Sequence, residues 1–193
     1  MTQAADVSHQ ELMPLRLSRV FHARRETVFR AWSSAEHVKR WFGPETFTIP
    51  DARIELRLDG PFELKMRAPT GEEHLIRGRF VEIAPQRRLV IDMQISDGND
   101  KPLFDAYTEV DFADELGGTR VDVVQTYTMR DPSVTWMVKG APAGWRSTLD
   151  KLEKEVVRMQ GGADMNSRSA VTCQLCSRTD YKAPVGAGVA RAD

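Results

Sequence analysis

Glu55 and Arg57 stand two positions apart just ahead of Asp59-Gly60, a dipeptide that favours a tight β-hairpin turn. With a two-residue turn, Arg57 pairs with Phe62, Glu55 with Leu64 and Arg53 with Met66. Residues paired across a hairpin share a face of the sheet. Phe62, Leu64 and Met66 are the apolar set of their strand, so Glu55 and Arg57 would face inward with them. Together they would form a charge pair able to grip a polar ligand group through the guanidinium's paired donors. A turn one residue longer reverses the parity, sends Ile54 and Leu56 into the core and leaves Glu55 and Arg57 in water. Composition favours the second register, and spacing alone leaves both open.

Other residue types with chemical potential are less organised. The histidines His9, His22, His37 and His74 are not spaced as a metal pair, and His74, after a Gly-Glu-Glu turn, reads as solvated. No Gly-x-Ser-x-Gly elbow or phosphate-cradling glycine loop occurs, so no catalytic residue, metal site or cofactor is assigned. Cys173 and Cys176 have the spacing of a zinc or redox pair but lack further ligands, and a tail is not the helix start that redox chemistry uses.

The apolar residues point to binding instead. Met93, Phe104, Tyr107, Gln125 and Tyr127 end or punctuate strands, and Trp136 and Met137 join them. Singly, each is most simply core. As a set they are large and adaptable with a few polar tips, which suits a pocket for a mostly apolar small molecule. Gly140, Ala141 and Gly144 leave little side chain just before Trp145, giving ligand space, close packing or a kinked helix start. Trp41 and Phe42 precede a Gly-Pro break: Trp41 reads as core, and Phe42 as lining an entrance.

The elements that position these residues follow from periodicity. LRLSRVF reads as a strand, and RRETVFRAWSS carries Val28, Ala31 and Trp32 at helical spacing. Ser33 and Glu36 form a capping-box pattern for a second short helix ending at Gly43. Between residues 47 and 129 apolar alternation is broken by turn signals, without helices between, which predicts an antiparallel meander. From about Ala141 to Met159, Trp145, Leu149, Leu152 and Val156 make one helical stripe, with Pro142 in the first turn and Lys151 and Lys154 exposed. The expectation is an α+β domain over residues 12–160, a curved antiparallel sheet of about six or seven strands around a long C-terminal helix. Residues 1–11 read as a flexible leader and 161–193, Gly/Ala-rich and polar, as a disordered tail.

Bulk properties exclude several classes. The 193 residues carry 27 Lys+Arg against 28 Asp+Glu, which gives nucleic acid no electrostatic hold. No apolar run approaches the roughly 18 residues of a membrane span. The first residues lack the basic and apolar regions of a signal peptide, so a cytoplasmic location is expected. A homodimer stays open.

Four segments, FHARRETVFRAWSSAEHVKRWFGP, IELRLDGPFELKMRAPTGEE, IRGRFVEIAPQRRLVI and GWRSTLDKLEKEV, occur in an order that resembles the START-like (SRPBCC) superfamily. Their wording is similar to its bacterial branch related to the activator of the ninety-kilodalton heat-shock chaperone's ATPase. The resemblance covers about residues 15–159 and implies a helix-grip fold, with an acidic residue and an arginine near positions 55 and 57. Two departures stand out. The eukaryotic activator's separate chaperone-binding domain has no counterpart here, and Asp59-Gly60-Pro61 replaces the usual pair of glycines. Three functions are implied: a module holding a small hydrophobic or amphipathic molecule between sheet and helix, a polyketide cyclase- or aromatase-like enzyme using Glu55, Arg57, Tyr107 or Tyr127, and a chaperone accessory. The first ranks highest because no poised His or Cys supports the second.

Overall fold

The computed structural model describes residues 13–175, with side chains as far as Gly161. The chain divides into two units, Met1–Gln160 and Gly161–Asp193, and the sheet, both short helices and the core lie in the first. The expected leader and residues 176–193 of the expected tail, including Cys176, lie outside the described residues, as does the side chain of Cys173.

Seven strands form one antiparallel sheet: β1 (Leu15–Phe21), β2 (Thr48–Ile54), β3 (Pro61–Arg67), β4 (Glu73–Ala84), β5 (Arg88–Asp97), β6 (Pro102–Glu115) and β7 (Gly118–Met129). Their order is β1-β7-β6-β5-β4-β3-β2, so β2 to β7 run as the expected meander and β1 closes the far edge. Along β1, Leu15 pairs with Gln125 and Phe21 with Thr119. The alternation read from sequence sets the faces. In β6, Ala106, Thr108, Val110 and Phe112 are buried, and Tyr107, one residue out of phase, is exposed.

The helices are α1 (Arg25–Ser33), α2 (Ala35–Trp41) and α3 (Thr135–Leu175). In α1, Val28, Phe29, Ala31 and Trp32 bury one side. The Ser33–Glu36 capping box does not form: Ser34 is the extended residue before α2 and makes no side-chain cap bond. The C-terminal end of α2 does follow the pattern. Phe42 donates its N–H to the Val38 carbonyl, and Gly43 takes φ +86°, a left-handed conformation cheap only for glycine.

The largest departures concern α3. A short 3₁₀ turn, Pro132–Val134, leads into a helix that begins at Thr135, two turns before the expected start. Pro142 therefore lies inside the helix, where its missing N–H costs the Val138 carbonyl its usual partner. The extra turns extend the stripe backward to Val138 and Ala141, which pack over the sheet. The helical backbone also passes Met159 and Gly161-Gly162 to Leu175, where a structureless tail was expected. Helix already nucleated propagates at little cost, so no apolar stripe is needed to extend it.

The sheet folds about this helix. Inward residues from both edges, Phe21 on β1 and Ile49 on β2, together with Phe62 and Leu64 on β3, share one core with Trp145, Leu149, Leu152, Val156 and Met159 of α3. This is the helix-grip arrangement. The short helices fill one side of it through Trp32, which lies 4.6 Å from Trp41 and stacks on Trp145 at 6.1 Å. Further along α3, the buried carboxylate of Glu155 receives Arg158 at 2.6 and 2.7 Å and meets His37 Nδ1 at 2.7 Å. This ties α2 to α3. Burial alone would raise the carboxyl's pKa, but Arg158 and His37 together hold it below the usual glutamate range.

Two stability predictions follow from this packing. Leu152→Ala should cost about 2–5 kcal/mol in urea unfolding, the range for a fully buried leucine. Glu155→Gln should cost about 1.5–3 kcal/mol near neutral pH, the range for hydrogen bonds to a charged group. A depressed carboxylate pKa stabilises above the unfolded value of about 4.3 and loses that effect as pH falls through the folded value, so the deficit should shrink as pH falls below about 4.3.

Candidate ligand cavity

Packing between sheet and helix is incomplete beside the N-terminal half of α3, where a cavity of about 160 Å³ remains. Its sheet wall is Met66, Ile76, Met93 and Ile95 with Phe104 and Ala106, completed by Gln125 and Tyr127 of β7. The helix contributes Met137, Val138, Ala141, Gly144, Trp145 and Thr148, and the turn after α2 contributes Phe42, Gly43 and Pro44. The space exists because small residues meet there. Ala106 on the sheet lies opposite a stretch of α3 that offers Ala141 and Gly144.

One polar network interrupts the apolar wall. Gln125 Oε1 accepts the Trp145 indole N–H at 2.8 Å and the Tyr127 hydroxyl at 2.6 Å, and Gln125 Nε2 donates to Thr108 Oγ1 at 2.6 Å. The second Nε2 hydrogen of Gln125 and the Tyr127 oxygen retain hydrogen-bonding capacity. Burial pushes the Tyr127 phenol up, the Trp145 contact opposing it weakly, so the hydroxyl is neutral and a poor acid at physiological pH.

The mouth turn is clamped by α3. Lys151 Nζ donates to the carbonyls of Gly43, Pro44 and Phe47 at 3.2, 3.3 and 3.2 Å, and Ser147 Oγ accepts the Glu45 N–H at 3.3 Å. Burial lowers the Lys151 pKa, offset in part by the nearby Glu45 charge. Lys151, expected in solvent, is half-buried and structural. Its side chain reaches backbone carbonyls that only the fold brings near, so no sequence signal marks it.

The expected site residues separate by position. Phe42, Met66, Met93, Phe104, Gln125, Tyr127, Met137, Gly144 and Trp145 line the cavity. Trp41, Phe62 and Leu64 are core: Trp41 is fully buried with its indole N–H on the Ala31 carbonyl at 2.9 Å, and Phe62 packs on Phe42 and Phe80. Tyr107 and Trp136 point outward from β6 and the first turn of α3, and at Gly140 an added Cβ would meet nothing within 4 Å. His74, expected in solvent, faces inward on β4 and is buried.

Glu55 and Arg57 lie outside the cavity. Ile54 pairs with Phe62 and Arg53 with Glu63, so the connection runs from Glu55 to Gly60 and the parity is that of a longer turn. Glu55 is held by Arg53 at 2.8 Å and Arg57 at 3.1 Å on the surface, and these partners, Arg53 foremost, hold its carboxyl below the usual range. Leu56 and Leu58 are exposed, because residues beyond Ile54 have left the strand. Gly60 is required by contact, since a Cβ there would lie 2.2 Å from the Glu55 carbonyl oxygen. Of the four residues an enzymatic reading would use, Tyr127 alone borders the cavity.

The sequence model for the family described as "Activator of Hsp90 ATPase homolog 1-like protein" matches residues 22–156. The chain belongs to this family. Solved structures agree on the fold. A protein from Chromobacterium violaceum is 25% identical with a TM-score of 0.62, over 74% of this chain and 96% of that one. A Nitrosomonas europaea protein is 24% identical with a TM-score of 0.62, over 81% and 99%. An AHSA1 protein of Silicibacter pomeroyi is 23% identical with the same score, over 75% and 97%. No match is found among curated proteins. None of the described helices is long and apolar enough to cross a membrane.

The Lys151 clamp makes a direct prediction. Lys151→Ala should cost about 1–3 kcal/mol by removing the side-chain donor to the Gly43 and Phe47 carbonyls, whereas exposed Lys154→Ala should change stability by less than about 0.5 kcal/mol. Urea midpoints of the two variants, at unchanged m-value, provide the comparison.

Proposed function

We propose that this AHSA1-like domain is a binding module for a small, mainly apolar molecule held between the sheet and α3. The observation that carries the reading is the cavity of about 160 Å³ with apolar walls and one satisfied polar network. A dry apolar cavity of about 150 Å³ suffices for a benzene-sized guest. The family's fold accommodates ligand binding, and shape with hydrophobicity would supply the affinity here. The free N–H of Gln125 and the Tyr127 oxygen would orient one polar atom of the guest.

Toluene, titrated by NMR against the full chain, tests this reading. A Kd of about 0.1–1 mM is expected, inside the ceiling of about −1.5 kcal/mol per ligand atom. Gly144→Leu should weaken binding at least about tenfold by occupying the space at the Pro44 side, a loss of about 1.4 kcal/mol. Gly140→Ala, whose new methyl meets open space, should leave affinity unchanged. Absence of toluene binding to the folded wild type would overturn the reading.

A further inference from the structure

The α3 face that runs along the edge strand β1 changes character along its length. Lys139, Pro142, Arg146, Asp150 and Glu153 follow one another at helical steps of three and four, so they occupy one stripe. At its C-terminal end the stripe is neutralised across the interface: Arg19 of β1 contacts Asp150 at 2.6 Å and Glu153 at 3.8 Å. At its N-terminal end Lys139 and Arg146 meet instead a surface groove of about 460 Å³, whose remaining wall is Met13 to Leu17 with Tyr127, Val138 and Pro142. That wall adds Arg16 and no carboxylate. Among the described residues, none of these three cations has a salt-bridge partner, while Arg19, a few residues along the same strand, has two. Strand alternation turns the Arg16 side chain to the other face of β1, which leaves Lys139 and Arg146 on one helical stripe without a counter-ion among the described residues, an arrangement relieved by an anion.

The groove is also the cavity's neighbour. Tyr127 and Val138 line both. The partition is therefore one layer of side chains, and its helical half stands where α3 is weakest. Pro142 leaves the Val138 carbonyl without its intrahelical donor, and Gly140 lies between them.

Resting on the binding-module reading above, we propose that the ligand is a small organic acid whose apolar part, one aromatic ring or a short alkyl chain, fills the cavity. Its carboxylate passes between Tyr127 and Val138 to Lys139 and Arg146. Arg146 suits a carboxylate through its paired N–H donors, and Lys139 adds charge without fixed geometry. The cavity volume limits the apolar part to about the size of a benzene ring. The exposure of the cations limits their effect to selectivity among ligands that already fit.

The test compares 3-phenylpropanoate with the neutral 3-phenylpropan-1-ol by calorimetry on the full chain at low salt. The wild type should bind the acid about tenfold more tightly than the alcohol, the order expected of hydrogen bonds to charged groups. The Lys139→Gln/Arg146→Gln double variant should lose that preference while keeping its affinity for the alcohol. Added salt should weaken the acid alone. Equal affinities in the wild type, or a preference that survives the double substitution, would overturn the anionic subsite and leave the cavity reading standing. Failure of both ligands to bind a folded wild type would remove the cavity reading and this one with it.

Discussion

Trp145 sets how deeply the long helix enters the sheet. Its indole stacks on Trp32 of α1, lies 6.2 Å from Phe42 and donates its N–H to Gln125 of β7. Stacking fixes the ring from one side and the hydrogen bond from the other, so the helix backbone cannot approach the strands more closely at that point. C-terminal to it, Leu149, Leu152 and Val156 are long enough to fill the remaining distance. N-terminal to it, Gly144 and Ala141 are not, and the gap they leave is the cavity. One aromatic residue is therefore both the last layer of the core and the first wall of the site.

The polar groups around that cavity are largely committed to one another. Gln125 has taken two donors and given one hydrogen, Lys151 has three backbone carbonyls, and Tyr127 has spent its proton on Gln125. With one Gln125 N–H and the Tyr127 oxygen the only uncommitted groups of this network, shape is the main feature the cavity presents. The same commitment explains why the mouth turn holds its form. Gly43 and Pro44 have few contacts of their own to offer, and Lys151 and Ser147 supply the restraint from α3. Family membership adds the architecture and not the chemistry, since one fold hosts many functions.

Much of the architecture was written in local patterns. Alternating apolar residues between turn signals determined the meander, and the steps from Trp145 to Val156 determined the gripped helix, because both periods depend on backbone geometry alone. The same alternation determined the inward set Phe62, Leu64 and Met66. Resemblance to the AHSA1-like family added the helix-grip closure, which no single segment specifies. Within the site, Phe42, Met93, Gln125 and Tyr127 were legible as large or amphipathic side chains on inward strand positions or at a helix end. The stripe on α3 contained the further signal for Val138 and Ala141, but Pro142 reads locally as a first-turn residue and hid it.

Tertiary structure alone decided the rest, for reasons of register, phase and distance. A longer connection at Asp59-Gly60 placed Glu55 and Arg57 in solvent, and nothing local distinguishes that register from the shorter one. A one-residue phase difference put Tyr107 outside and Ala106 within. Trp136 turned outward because the helix began two turns earlier than its proline suggested, an extension favoured by burying Val138 against the sheet. Lys151 on the Phe47 carbonyl, His37 on Glu155 and Trp145 on Gln125 join residues 104, 118 and 20 positions apart. Sequence determines which side chains can form such bonds, and only the closed sheet brings their partners within reach.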